Sequence, residues 1–283
     1  MAVLHAVGIH WGLPASDGWD NDGVAPRDFL PGLAATFAPG RYYTYPPVHL
    51  GLLALLTSPI TIVAVLRAPS TAIADVVREI LAVPYMTAMA YVARVTALFM
   101  SIGIVLFLAR VAEELRAAHL GLTDDPPPGG EAWRDERVRR AGWCAAAFVG
   151  VNASLTYYAH TSNLDVPYLF WATWAALWTV RAITRREPRR LRRALALAAL
   201  AVGTKDQAYA VFLLSVPVSL GVWLAGDAWA RGRSRAILRE VAVSAVLALL
   251  LLLFVDGALF NPTGFRARLA FLTGPASQDY VEY

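Results

Sequence analysis

Cysteine, lysine and several common catalytic motifs are scarce or missing in this chain of 283 residues. The one cysteine, Cys144, lies within an apolar run, which favours a packing role over redox or metal chemistry. The sequence contains no Gly-rich loop that ends in Lys-Ser/Thr, no Cys or His cluster with zinc spacing, and no Gly-x-Ser-x-Gly turn. These absences argue against a P-loop nucleotide hydrolase, a zinc protein and a serine hydrolase with a nucleophile elbow.

Charge is also scarce, at 16% of residues against 57% hydrophobic residues and a mean hydropathy of +0.48. A soluble domain has about 25% charged residues, so this composition indicates a membrane environment. Helices of about 20 uncharged residues cross the hydrocarbon core, where only a helix satisfies its own backbone. Runs without Lys, Arg, Asp or Glu cover 46–66, 141–164, 207–226 and the 240s to 255, with shorter ones at 95–109, 166–180 and 194–204. The sequence therefore predicts an all-α, polytopic transmembrane helical bundle with about six or seven spans.

The basic residues are almost all arginine, since Lys205 is the only lysine among the 25 Lys and Arg residues. They cluster between the apolar runs, with four in 134–140, seven in 181–193 and four in 231–239. Short basic loops mark the cytoplasmic side of a membrane. This topology explains the pI of about 9.4 better than nucleic-acid binding does, so we expect the lipid bilayer as a partner and no nucleic acid.

This orientation places an acidic loop, 14–45, on the external side, together with 158–165, Lys205 and the residues after Asp256. The acidic loop is expected to carry short interfacial helices, and 111–140 becomes a cytoplasmic connector. An odd number of crossings must then separate the acidic loop from this connector, yet only two apolar candidates lie between them.

We interpret residues 1–283 as a single domain of a multi-pass protein of the bacterial inner (plasma) membrane. Residues 1–13 are too few to span the bilayer, and the chain stops after a polar stretch. We therefore expect a fragment that is truncated at both ends.

The acidic loop is the first candidate functional site. Asp17, Asp20 and Asp22 fall within six residues and lie beside Trp19. Carboxylates at this density on an external loop can supply a general base or bind a divalent metal ion. A solvated loop that caps neighbouring helices is the commoner use of such a sequence, and the spacing alone favours it.

Two further polar segments adjoin apolar runs. Residues 42–47 read Tyr-Tyr-Thr-Tyr-Pro-Pro and include Tyr45; an interfacial aromatic belt and a proline at a helix start explain this pattern fully. The turn 157–167 contains His160 and Asp165. Asp165 suits the N-terminus of a helix, but a His and an Asp at the mouth of a membrane cavity also suit ligand binding or proton transfer.

Lys205 stands in the sequence Gly203-Thr204-Lys205-Asp206, at the expected outer end of an apolar stretch. An arginine would serve an interfacial role equally well, so a compact ammonium group here favours a specific anion such as phosphate. The alternatives are a local pair with Asp206 or chance in an arginine-rich sequence.

The order of these segments resembles that of the membrane-embedded GT-C glycosyltransferases, in particular the protein O-mannosyltransferases and the bacterial lipid A aminoarabinose transferases. The resemblance covers most of residues 15–225. It rests on the segments SDGWDNDG, YYTYPPVHLGLLAL, ARVTALFMSIGIVLFLAR, SNLDVPYLFWATWAALW and ALAVGTKDQAYAVFLLSVP. Each segment is short, so the resemblance depends on their order within the hydrophobic frame.

The resemblance implies transfer of a sugar from a polyprenyl-phosphate donor to a hydroxyl acceptor, which is a glycan, a lipid or a protein. It implies that Asp22 is the catalytic base, with Asp20 as the substitute because Gly23 stands where the family often has a glutamate. Lys205 would bind the donor phosphate, and the substrate cavity would be lined by Asp165, His160, Tyr45 and Trp19. No metal ligand and no cofactor is assigned, although the use of a divalent metal ion stays open.

Two other functional classes fit the same composition. A secondary transporter also has apolar spans with a few buried charges, but paired broken helices from inverted repeats are not visible in the sequence. A non-catalytic membrane assembly subunit is the second alternative.

Overall fold

Helices form all of the regular secondary structure in residues 2–15, 23–122 and 135–274, the part of the chain that the computed structural model describes. This confirms the all-α prediction. The helices are α1 (Ala2–Ala6), α2 (Phe29–Phe37), α3 (Pro47–Arg67), α4 (Ile73–Ile80), α5 (Val83–His119), α6 (Glu136–Gly150), α7 (Ala153–Tyr158), α8 (Asp165–Thr184), α9 (Leu191–Val202), α10 (Tyr209–Gly226), α11 (Ala228–Gly232), α12 (Ser234–Val255) and α13 (Pro262–Thr273). Short 3-10 turns lead into α2, α9 and α10, at Pro26–Asp28, Pro188–Arg190 and Asp206–Ala208.

Four of the described helices are long and apolar enough to cross a bilayer: α3, α5, α10 with its preceding turn, and α12. Only 11% of the apolar window of α10, and 11% of that of α12, is buried inside the protein. Most of their side chains therefore face the surrounding medium. An apolar surface of this extent is stable in lipid and unstable in water, so the chain is a membrane protein.

The other predicted spans are shorter or interrupted. The helix α8 has 20 residues, whereas α6 and α9 have 15 and 12. The charge-free run 141–164 is not one helix, because α6 ends at Gly150 and α7 starts anew at Ala153. Asn152 caps α7, and its side chain accepts a hydrogen bond from the Leu155 N–H at 2.9 Å. This side-chain oxygen replaces a missing backbone partner, and that stabilises the break.

The helix α8 lies at the centre of the bundle. It packs against α5 on one side and α9 on the other, while α5 also packs against α6 and α9 against α12. Met100 and Ile104 of α5 share a buried cluster with Val166 of α8. Ala172 of α8 is buried with Ala201 of α9. Small side chains of this kind let helix backbones approach closely, as membrane helices commonly do.

The two ends of the bundle carry different charged groups. The arginine-rich segments 181–193 and 231–239 meet at one end, here named the basic end. Three sets of ion pairs gather there: Glu114 with Arg181 and Arg185, Arg186 with Asp227, and Arg192 with Glu240. The opposite end, here named the site end, contains the start of α8 and the end of α9. Both basic segments thus lie on one side of the bundle, as the predicted orientation requires.

The segment that precedes α5 begins and ends at the site end. The Val48 N–H, at the start of α3, donates to the carbonyl of Gly203 at the end of α9, with a distance of 2.9 Å. Leu50 of α3 shares a buried cluster with Met86 of α5 and with Leu164, the residue before α8. The helix α5 then runs to the basic end. Between the start of α3 and the end of α5, the chain therefore makes one net passage from the site end to the basic end.

Candidate functional site

The start of α8 and the end of α9 bring Asp165 and Lys205 into contact. Lys205 Nζ lies 2.7 Å from Asp165 Oδ1 and 5.9 Å from the centre of the Tyr168 ring. The backbone N–H of Asp165 donates to Oδ1 of Asn163 at 2.7 Å, which fixes the first turn of α8. The Lys205 and Asp165 side chains remain 25% and 27% exposed. The pair is therefore ordered by the fold, and the ammonium group is still accessible to an anion.

Close packing around Gly203 holds the Lys205 turn in place. A Cβ atom at Gly203 would lie 2.9 Å from a methyl carbon of Val48 and 3.1 Å from one of Val255. Both distances are shorter than an ordinary van der Waals contact. Glycine at this position thus allows the start of α3 and the end of α12 to close around the end of α9.

A second charged pair lies directly beside the first. The Asp206 carboxylate accepts a hydrogen bond from Arg268 of α13, so Lys205 pairs with Asp165 and not with its neighbour in the sequence. The Arg268 side chain is 3% exposed, and its guanidinium lies 4.9 Å from the centre of the Tyr43 ring. Tyr43 donates its hydroxyl proton to the backbone carbonyl of Asp256. Asp206, Arg268, Tyr43 and Asp256, here named the inner polar cluster, come from three distant parts of the chain.

Asp256 is the least solvated carboxyl group of the inner polar cluster. The residue is 5% exposed, and its Oδ1 atom has no hydrogen-bond partner among the described residues. Burial raises the pKa of Asp256 to about 7, an effect that the charge of Arg268 opposes and the charge of Asp206 reinforces. This carboxyl group therefore changes its charge near neutral pH.

Asn261 connects α13 to the last part of the acidic loop. Its amide group donates to the carbonyls of Ala35 at 3.2 Å and Arg41 at 2.7 Å. Its side-chain oxygen accepts from the N–H groups of Gly40 at 2.9 Å and Gly264 at 3.0 Å. Asn261 is fully buried, and all four hydrogen bonds that an amide can form are made. The segment around 35–41 is thereby held against the helix that carries Arg268.

No motif in the sequence predicts a role for Arg268, Asp256 or Asn261. One local signal does predict α13, because Asn261 followed by Pro262 is typical of a helix start. Gly264 and Arg268 then lie four residues apart and share one face of that helix. Contact between this face and Asp206 depends on packing between distant segments, which the local pattern does not contain.

The acidic loop lies beside the first turn of α8. Gly23 forms an antiparallel bridge with Asn163. The Val24 N–H donates to the carbonyl of Ser162 at 2.7 Å, and the Ser162 hydroxyl donates to the carbonyl of Val24 at 2.8 Å. Three of the predicted site residues fall outside the described residues: Trp19, Asp20 and Asp22. Gly23, which follows Asp22 in the chain, is bridged to a residue two positions before Asp165.

Tyr45 lines a cavity of about 290 Å³ at the site end. The walls of this cavity also include Val24, Asp28 and Tyr43. Tyr45 is 39% exposed and Tyr43 only 3%. Tyr45 is therefore available to a ligand, whereas Tyr43 connects the cavity wall to the inner polar cluster behind it.

An apolar groove of about 280 Å³ runs between α2, α3 and α4, next to the Pro26–Asp28 turn. Its walls include Leu30, Ala54, Ile62 and Val77. The groove lies on the side of the acidic loop and is suited to an apolar chain.

His160 lies apart from the Asp165–Lys205 pair. Its Nε2 atom would lie 3.8 Å from a Cβ built at Gly8, and its ring centre is 6.1 Å from that of Tyr157. These contacts place the imidazole against the segment that follows α1. The structure brings Asp165 and Lys205 together but leaves His160 in separate surroundings.

In the described ranges 2–15, 23–122 and 135–274, no group of three or more His, Cys, Asp or Glu side chains is arranged to hold a metal ion. Comparison of the chain with protein-family models, with curated proteins and with solved structures finds no match.

Proposed function

We propose that the chain is a membrane glycosyltransferase that moves a sugar from a polyprenyl-phosphate donor to a hydroxyl acceptor. The proposed location is the external face of the bacterial inner membrane. The observation that carries this proposal is the meeting of three distant segments at the site end. Lys205 pairs with Asp165, and Asn163 of the same turn bridges to Gly23 of the acidic loop. This convergence supports the roles that the resemblance to GT-C enzymes implies.

In the proposed reaction, the acceptor hydroxyl oxygen attacks the anomeric carbon of the donor sugar, and the bond from that carbon to the phosphate oxygen breaks. Asp22, or Asp20 in its place, takes the hydroxyl proton as the general base. The polyprenyl phosphate leaves with increased negative charge, which the Lys205 ammonium stabilises. A divalent metal ion at the acidic loop would act in the same electrostatic way.

The surroundings of Lys205 suit this role. Asp165 orients the ammonium from 2.7 Å, and the exposure of both side chains lets a phosphate group approach. The cavity beside Tyr45 would receive the sugar or the acceptor, with an aromatic ring as one wall. The apolar groove between α2, α3 and α4 would take the first part of the lipid tail. A sugar that is too polar to enter the bilayer would then stay at its surface, next to the acidic loop.

The test is an assay of sugar transfer in proteoliposomes that contain the full chain and polyprenyl-phosphate sugars as donors. We expect Asp22→Ala or Asp20→Ala, made separately, to reduce transfer by about 100-fold, as removal of a general base does. Lys205→Met should reduce transfer by a similar factor of about 100, as loss of a charge-stabilising donor does. Lys205→Arg should retain part of the activity. The control is Asp75→Ala on α4, which should leave transfer unchanged.

Three results would contradict the proposal. Full transfer by both aspartate variants would remove the acidic loop from the chemistry. Movement of a solute across the vesicle membrane, with no lipid-linked donor present, would instead identify the chain as a transporter. A folded chain that shows neither activity would favour a non-catalytic assembly subunit.

A further inference from the structure

Lys205, the proposed phosphate-binding residue, has two carboxylates as neighbours. Asp206 follows it directly in the sequence, and Asp165 of α8 pairs with it at 2.7 Å. Each carboxylate that binds the ammonium competes with a phosphate group for the same positive charge. The capacity of Lys205 to bind an anion therefore depends on what holds the Asp206 carboxylate.

The Asp206 carboxylate is held by Arg268 of α13. The guanidinium group of Arg268 donates a hydrogen bond to Oδ2 of Asp206. The Arg268 side chain is 3% exposed, whereas the Lys205 side chain is 25% exposed. The attraction between opposite charges increases as water is excluded. Arg268 therefore attracts the Asp206 carboxylate more strongly than the more exposed ammonium of Lys205 does.

The backbone also separates the Lys205 and Asp206 side chains. Lys205 has an extended conformation, with a φ of −149° and a ψ of 123°, and Asp206 begins the 3-10 turn before α10. Consecutive side chains on an extended backbone point to opposite sides. Lys205 contacts Asp165 of α8, and Asp206 contacts Arg268 of α13. In these two ion pairs, each charged group has a different partner.

Arg268 is itself fixed by contacts. Its guanidinium lies 4.9 Å from the centre of the Tyr43 ring. Its helix is capped by Asn261, whose amide also donates to carbonyls in the last part of the acidic loop. A planar guanidinium that is already ordered loses little further conformational freedom when it binds a carboxylate. Arg268 can therefore hold Asp206 in one place.

We infer that Arg268 is a positioning residue for the proposed phosphate site: it holds Asp206 and so keeps a second carboxylate from taking the ammonium of Lys205. This role rests on the proposed function, because it takes polyprenyl phosphate as the anion that Lys205 binds. Arg268 acts through Asp206 and does not touch the phosphate, since its side chain is buried and already bound to a carboxylate. Without Arg268, the Asp206 carboxylate would turn to Lys205 and compete with the phosphate.

The single lysine makes a specific test possible. Reductive methylation with isotope-labelled formaldehyde labels Lys205, the only lysine in the chain, and preserves its positive charge. The N-terminal amine is labelled as well, and the Lys205→Met variant shows which NMR signal belongs to Lys205. The labelled full chain, in detergent micelles, is titrated with polyprenyl phosphate and, separately, with polyprenol, which lacks the phosphate. We expect the Lys205 signal to shift with polyprenyl phosphate and not with polyprenol, and the titration gives the affinity.

Arg268→Gln should weaken the binding of polyprenyl phosphate by about fivefold, the competition expected from one added exposed ion pair. The double variant Arg268→Gln with Asp206→Asn should bind with the native affinity, because the competing carboxylate is gone. Arg266→Gln is the matched control and should also keep the native affinity. Arg266 is an exposed arginine of the same helix, and residues two positions apart do not share a helix face. Each titration follows the signal of the folded chain, so a loss of stability alone leaves the measured affinity unchanged.

If Arg268→Gln is too unstable to purify, Asp165→Asn decides the question, since Asp165 is partly exposed. Asp206 should stay with Arg268 in this variant, so the ammonium loses a competing carboxylate and should bind polyprenyl phosphate about fivefold more tightly. An unchanged affinity would show that Asp206 takes the place of Asp165, and it would overturn the role of Arg268.

Native affinity in Arg268→Gln would also overturn this role. An equal loss of affinity in the single and double variants would overturn it by making Arg268 itself a phosphate ligand. Sugar transfer by the native chain, together with either of these results, would leave the proposed function intact. A Lys205 signal of the native chain that does not respond to polyprenyl phosphate would overturn the role of Arg268 and the phosphate-binding role of Lys205 together.

Discussion

Replacement of the buried Asp256 by asparagine should remove a pH dependence of stability. Burial raises the pKa of this carboxyl group in the folded chain from an ordinary value of 3.8 to about 7. The folded state therefore binds more protons than the unfolded state between these two values. The stability that this carboxyl group contributes is fully present below pH 3.8 and declines as the pH rises toward 7.

The size of the effect follows from the same two values. A shift of about three units corresponds to about 4 kcal/mol at a pH above both values. Between pH 5 and pH 8 the native chain should lose about 2–3 kcal/mol through this one group. In a chain of this size, that loss corresponds to a fall of about 5–10 °C in the melting temperature. The asparagine amide has no proton that titrates in this range, so the Asp256→Asn variant should lack this contribution.

The assay is thermal unfolding of the chain in detergent micelles at pH 5 and pH 8, followed by tryptophan fluorescence. The measured quantity is the difference between the two melting temperatures, compared between the native chain and Asp256→Asn. Asp28→Asn serves as the control, because Asp28 is an exposed carboxylate at the same end of the bundle. If the native chain and Asp256→Asn change equally between the two pH values, Asp256 is not the buried acid that the structure describes.

Two further predictions concern stability and use matched pairs of variants. Glu114→Gln should lower the free energy of unfolding by about 2–3 kcal/mol, because it leaves two guanidinium groups without their buried counter-charge. The surface counterpart Glu136→Gln should cost less than about 1 kcal/mol in the same denaturation experiment. Gly257→Ala should destabilise the chain by about 2 kcal/mol, since φ is 69° and a Cβ would overlap the carbonyl oxygen of Thr36. Gly221→Ala, with nothing within 4 Å, should be neutral or stabilising. Equal effects within either pair would contradict the contacts described here.

The helices are predictable because their signal is local. Long apolar runs without charge correspond to α3, α10 and α12, and the basic segments between the runs gather at one end. The charge-free run 141–164 forms two helices and not one, because Asn152 caps a new helix, and a count of charged residues cannot detect such a cap. The topology of 46–94 is not predictable from the pattern, since α3 and α4 return to the end at which α3 starts.

Some residues of the candidate site can be predicted from the sequence, but the contacts between them cannot. The use of a single lysine points to Lys205, and its partner Asp165 lies 40 residues away in the chain. Arg268 and Asp206 are 62 residues apart, and their contact follows from the packing of α13 against the end of α9. No spacing rule links such positions. The three loop residues Trp19, Asp20 and Asp22 remain predictions, because they lie outside the described residues.

The position of Asn261 has a consequence for the order in which the protein is built. Its side-chain amide donates to the carbonyls of Ala35 and Arg41 and accepts a hydrogen bond from the Gly40 N–H. These three residues are synthesised more than two hundred residues before Asn261. Arg268, which pairs with Asp206, follows later still. Until that part of the nascent chain has left the ribosome and reached the correct side of the bilayer, Ala35, Gly40 and Arg41 lack these partners. Insertion of the helices and completion of the site are thus separate events, and the second must wait for the last helix of the described chain.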